Sequence, residues 1–150
     1  PRRHQAAGLA PVVASSSPLL EWDDALALGN EDIDRQHKRL VEIINQLHSS
    51  LDSPDKDAEV MKCLTAMYLH AKEHFFDEEA FMERVSYPDR EHHAALHRDF
   101  VDKTNSLTDT CLLDAVPCEE LLDFLVSWFR EHVSNEDAKL IAYTQDPDAR

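Results

Sequence analysis

The chain is predicted to be all-α: an up-down-up-down antiparallel four-helix bundle with an extended N-terminal segment. Only two glycines occur in 150 residues, and Glu, Asp, Leu and Ala are abundant, a composition that favours helices over sheets. Apolar residues recur every three to four positions along four long stretches, the period of a helix with one buried face. The joins between those stretches are short, which makes consecutive helices antiparallel neighbours.

Each element has a local cause. Trp22 is an early apolar anchor over the bundle end. Asn30 is placed to N-cap a first helix over about 31–51, whose stripe is Ile33, His37, Leu40, Ile44, Leu47 and Leu51. Asp52-Ser53-Pro54-Asp55 breaks it. A second helix, about 56–84, carries Val60, Leu64, Met67, Ala71, His74/Phe75, Glu78 and Phe81/Met82 inward. Ser86-Tyr87-Pro88 ends it and opens a third near 88–111, with Pro88 tolerated in a first turn. That stripe holds His93, Leu96/His97, Phe100, Thr104, Leu107 and Cys111. Leu112 to Val116 form the next turn. Pro117 starts a fourth helix with Leu121, Leu125, Trp128/Phe129, His132, Glu136/Asp137 and Leu140 inside, ending near Tyr143.

Residues 1–18 lack periodicity and end in Ser15-Ser16-Ser17-Pro18, which reads as a flexible lead-in or interdomain linker. The bundle then spans 19–145, and 146–150 form a C-terminal tail. The apolar part of the first residues is interrupted by Gly8 and Pro11, so it is not read as a signal peptide. The first residue is not Met, which points to a piece of a longer chain. A net charge of −15 argues against nucleic acid and anionic membrane as partners. No stretch is long and apolar enough to span a bilayer. Cys63, Cys111 and Cys118 follow no framework spacing and are expected to be reduced, small buried groups in a cytoplasmic protein.

The informative feature is polar residues on apolar stripes. In an α-helix, residues four apart lie about 6 Å along the axis and about 40° around it, so His74 with Glu78, and His93 with His97, can each reach one ion. His37 and His132 lie on the inward stripes of the other two helices. Buried imidazoles and carboxylates need partners, and this many on four helices are hard to satisfy mutually. A metal centre resolves this, and nitrogen with carboxylate ligands suits iron, zinc, manganese or copper. Seven ligands exceed one tetrahedral site and point to two metals sharing carboxylates. Spacing alone leaves the last carboxylate open: Glu136 stands four residues after His132, Asp137 five. His4 falls in the lead-in, His48 at a helix margin and His92 off the ligand stripe. His70 lies one turn before His74, either packed in the core or bonding near the site.

The runs Leu28-Gly29-Asn30-Glu31-Asp32-Ile33-Asp34-Arg35-Gln36-His37 and His74-Phe75-Phe76-Asp77-Glu78-Glu79, then His93-x3-His97 and Trp128-x3-His132-x4-Asp137, resemble a bacterial hemerythrin domain in order and spacing. The resemblance covers about residues 20–143. It implies Asp137 as the last ligand, and two iron ions joined by an oxo or hydroxo bridge. His93, His97 and His132 would hold one iron, His37 and His74 the other, with Glu78 and Asp137 bridging. It implies O2 as the ligand, bound reversibly at an open position on the two-histidine iron. Leu40, Phe75, Trp128, Phe129 and Val133 flank those ligands by helical offset and are expected to line an apolar pocket. His70 stands where such domains often carry an aromatic residue.

The resulting expectation is a binding module and not an enzyme. It would be an oxygen- or redox-sensing domain of a larger bacterial signalling protein, with a covalently linked signalling domain as partner. The alternatives are a free-standing O2 storage or delivery protein, or a di-iron oxidase or peroxidase. The latter in ferritin-like bundles use more carboxylates and Glu-x-x-His motifs.

Overall fold

The computed structural model describes residues 18–113, 118–146 and 148. After a 3-10 turn at Asp24–Leu26 come α1 (Glu31–Ser50), α2 (Lys56–Arg84), α3 (Arg90–Leu112) and α4 (Cys118–Glu131). The fourth helix continues through a π-helical turn, His132–Asp137, into α5 (Ala138–Gln145). The bulk of the lead-in predicted at 1–18, and Asp114 to Pro117 in the last turn, lie outside the described residues.

The first helix starts where its cap demands. The Asn30 carboxamide oxygen accepts from the Ile33 amide at 3.1 Å, and Glu31, Asp32 and Asp34 place negative charge on the first turn. Asp34 reaches back to accept from the Leu28 and Gly29 amides. Gly29 has φ +85°, which fits glycine at this entry. Upstream, Leu20 and Asn45 exchange two hydrogen bonds of 2.9 and 2.8 Å, fastening the approach segment to α1.

The α2–α3 reversal differs slightly from the predicted boundary. Ser86 takes φ 53°, and the Tyr87 amide bonds back to the Met82 carbonyl at 2.9 Å, closing α2 in a C-terminal cap. Pro88 therefore stays in the turn, and α3 begins two residues later at Arg90. The cysteine expectation is corrected: Cys111 and Cys118 form a disulfide, with Cα atoms 4.8 Å apart. They stand on either side of the α3–α4 reversal, which brings the ends of two helices within bridging distance. The pairing removes the cysteine-based argument for a reducing compartment. Cys63 is a buried thiol, 3.4 Å from the Ser50 hydroxyl.

Contacts along the helices show the antiparallel bundle. Gln36 near the start of α1 meets His74 and Asp77 late in α2, while Ser50 at the end of α1 meets Cys63 early in α2. His97 early in α3 meets His132, and Phe100 meets Phe124. Two apolar clusters result. The larger runs from Leu20, Ile43 and Leu47 through Met67, Leu121 and Leu125; the smaller holds Met82, Tyr87 and Leu140. Along α2 and along the fourth helix, the polar stripe residues lie between them. Trp22 packs half-buried on the larger cluster with the Lys38 ammonium 5.4 Å from its ring.

Candidate metal centre

His37, His74, Glu78, His93, His97, His132 and Asp137 are all buried, none more than 5% exposed. Two overlapping sets of these side chains could each hold a metal ion. Glu78, His93, His97, His132 and Asp137 form one; His37, His74, Glu78 and Asp137 form the other, with ligand atoms in each within 4.8 Å of one another. Both carboxylates belong to both sets.

The carboxylates divide their oxygens between the sets. Glu78 Oε1 lies 2.8 Å from His93 Nε2 and 3.1 Å from His97 Nε2, while Oε2 lies 3.8 Å from His74 Nε2. Asp137 Oδ1 lies 3.0 Å from His93 Nε2 and 3.2 Å from His132 Nε2, while Oδ2 lies 3.0 Å from His37 Nε2. These approaches are close, yet both oxygens of each carboxylate and the Nε2 atoms of His37 and His93 lack a hydrogen-bond partner. Atoms that crowd without pointing at one another surround a common point. A buried, unsatisfied carboxylate is costly, and a cation between the groups satisfies nitrogen lone pairs and oxygens together.

Asp137 reaches the site because of the π turn. An α-helix rotates residues five apart by about 140°, whereas a turn closed by i→i+5 hydrogen bonds brings them back onto one side. Asp137 is fully buried. Glu136 instead points to the surface, 3.6 Å from Lys139 Nζ and 3.8 Å from His92 Nε2. The spacing preference for Glu136 therefore holds for a regular helix, which this segment is not.

The electrostatics match a cation site. Burial lowers the His74 pKa to about 4, keeping the imidazole neutral with a lone pair to give. Burial would also lower His93, but the adjoining Asp137 and Glu78 carboxylates outweigh it and lift it to about 10. Burial and mutual repulsion favour the protonated carboxyls, yet the surrounding imidazoles hold Glu78 below and Asp137 well below their ordinary values.

Residues behind the ligands escaped the sequence reading. Gln36 Oε1 accepts from His74 Nδ1 at 2.6 Å, and Glu79 Oε2 accepts from His97 Nδ1 at 2.8 Å. Each bond places the ring proton on Nδ1 and turns Nε2 inward. His70 Nε2 donates to the Gln36 carbonyl at 3.0 Å, so it braces the chain beside the site without reaching the carboxylates. Only the pattern of a polar residue adjoining each buried ligand could have pointed to Gln36 and Glu79.

An apolar cavity of about 10 Å³ lies beside the centre, its lining in ring contact with histidines of both sets, near the least space that admits one small molecule. Leu40, Phe75, Trp128 and Phe129 line it together with Ile44, Met67, Ala71, Phe100 and Leu125. Val133, also expected there, is buried in the larger apolar cluster and is not part of this lining. The Phe129 ring lies 5.8 Å from His37 edge-on, and Phe75 stacks on His97 at 3.9 Å.

These features define a class: a four-helix bundle enclosing a buried histidine–carboxylate centre able to hold metal. The family model described as "Hemerythrin HHE cation binding domain" matches residues 28–144. A protein named Bacteriohemerythrin from Clostridium acetobutylicum is 29% identical over 128 residues, covering 82% of this chain and 99% of its own. A Pseudomonas aeruginosa protein of the same name is 30% identical over 119 residues, covering 79% of this chain and 77% of its own. Another, from Campylobacter jejuni, is 28% identical over 122 residues, 81% of this chain and 92% of its own. The chain belongs to the hemerythrin family.

Proposed function

We propose that this chain is a non-haem di-iron domain that binds O2 reversibly, serves as an oxygen or redox sensor, and is not an enzyme. The observation that carries the reading is the unequal sharing of two carboxylates. Glu78 turns one oxygen toward His93 and His97 and the other toward His74, and Asp137 turns one toward His93 and His132 and the other toward His37. The pair thus faces three imidazoles on one side and two on the other. His93, His97 and His132 would hold one iron, and His37 and His74 the other. A position with fewer protein ligands suits exchange of an external ligand, as in reactive metal sites and unlike closed structural ones. A pair of ferrous ions supplies the two electrons on which reversible O2 binding draws.

The chain's own residues supply the rest. Gln36 and Glu79 orient imidazoles. The apolar cavity beside the centre has room for a small uncharged molecule, and its lining keeps out water and protons. The ligand set is rich in histidine with two shared carboxylates, which favours binding over the oxidative catalysis of carboxylate-rich di-iron bundles.

The test is an absorption spectrum of the reduced, anaerobic protein before and after O2, with metal analysis on the same sample. Two irons per chain and visible charge-transfer bands that appear with O2 and vanish on its removal are expected. A single zinc per chain, or bands that never reverse, would overturn the reading.

A further inference from the structure

Two of the candidate ligands are backed by acceptors of different charge. Behind His97 stands the Glu79 carboxylate, at 2.8 Å. Behind His74 stands the neutral Gln36 amide, at 2.6 Å. The amide cannot turn over freely, because its nitrogen donates to Asp77 Oδ2 at 3.1 Å. Asp77 takes the NH2 end, so the oxygen must face the imidazole. His70 holds the same residue from below through its main-chain carbonyl.

The charge of that acceptor matters to the metal. An anionic acceptor draws the Nδ1 proton toward itself and leaves Nε2 the stronger donor; a neutral one does so less. The three-histidine set therefore has both more nitrogens and the carboxylate-backed one. The two-histidine set has fewer nitrogens and an amide-backed one. Both differences act in the same direction.

We infer that Gln36 is a positioning residue that makes the His37–His74 half of the centre the weaker metal holder, from which iron leaves first. The inference rests on the di-iron reading above and adds which half is labile and what sets it. A labile half is the one that exchanges ligands readily, so the amide tunes the position proposed to take O2.

The test is metal release from the anaerobic iron(II) protein mixed with excess of a ferrous chelator whose complex is coloured. Two phases of equal amplitude are expected. Exchanging the hydrogen-bonded pair, Gln36→Glu with Asp77→Asn, keeps the hydrogen bonds and puts the carboxylate behind His74. It should slow the fast phase about tenfold, the low end for changes behind a metal ligand. Gln36→Leu should speed that phase, and Glu79→Gln should speed the slow phase alone. A merely structural role would move the exchanged pair and Gln36→Leu in the same direction, so opposite signs are the diagnostic result. One-phase release from the unmodified protein, or equal effects of the exchange on both phases, overturns the inference while leaving the di-iron reading intact. Fewer than two irons per chain at the start would instead sink that reading itself.

Discussion

His132 and Asp137, five residues apart, bring Nε2 and Oδ1 to 3.2 Å because the helix widens to a π turn between them. The neighbouring Glu136, which a regular helix would have favoured, pairs at the surface with Lys139. Asp137→Asn should therefore cost most of the bound metal, since it removes charge shared by both sets. Glu136→Gln should leave metal content unchanged and alter stability by about 1 kcal/mol or less, because its partner Lys139 is exposed and Glu136 itself is only half-buried. Metal analysis of the two variants side by side decides it. The reverse outcome would mean that the widened turn does not persist in solution.

His74→Ala should remove O2-dependent absorption and reduce iron from two per chain toward one. The His37–His74 set then keeps a single imidazole, while the three-histidine set keeps all of its own. Unchanged O2 spectra in this variant would refute the assignment of the responsive half.

Removing the metal should destabilise the fold. Without a cation, Glu78 and Asp137 remain buried with no hydrogen-bond partner. Binding to the native state alone contributes about 2.7 kcal/mol when free metal is about a hundred times Kd. For a domain of this size that corresponds to a fall in Tm of roughly 5–10 °C on chelation. Calorimetry with and without chelator measures it, and an unchanged Tm would show that the centre contributes nothing to the fold.

How far these features were legible in the sequence depended on whether their cause was local. The inward placement of His37, His74, Glu78, His93 and His97 follows from helical period, because each sits in a regular helix among apolar neighbours. Asp137 does not follow from period, since its position depends on a widened turn for which the run His-Val-Ser-Asn-Glu-Asp carries no evident mark; the motif resemblance placed it instead. Gln36 and Glu79 act across helix pairs, so their roles depend on packing. Cys111 and Cys118 were expected to be reduced because three cysteines follow no framework spacing; their pairing depends on how closely the reversal between the third and fourth helices brings the two helix ends together.

The cavity offers a test of how the protein protects the centre. Leu40 is buried and lines the apolar space beside the centre. Leu40→Ala should cost about 2–5 kcal/mol through lost packing and an enlarged cavity. It should keep the iron, because no ligand is touched, but speed spontaneous oxidation of the reduced protein by admitting water. Iron content together with the rate of spectral decay in air reads both effects. A variant that kept its iron and oxidised no faster would make Leu40 a packing residue only.

The disulfide separates fold stability from site chemistry. Cys111 lies fourteen residues beyond His97 on the same helix, about 21 Å along its axis. Replacing both Cys111 and Cys118 with Ser opens a short loop and should cost about 2.5 kcal/mol by loop-closure entropy. The buried hydroxyls add a smaller loss, since Cys111 and Cys118 are 2% and 6% exposed. Metal content and O2-dependent spectra should not change, because no candidate ligand lies at that end of the bundle. Thiol titration of the unfolded, unreduced protein supplies the direct check. One reactive thiol, Cys63, is expected; three would mean that the α3–α4 reversal is held without a covalent link.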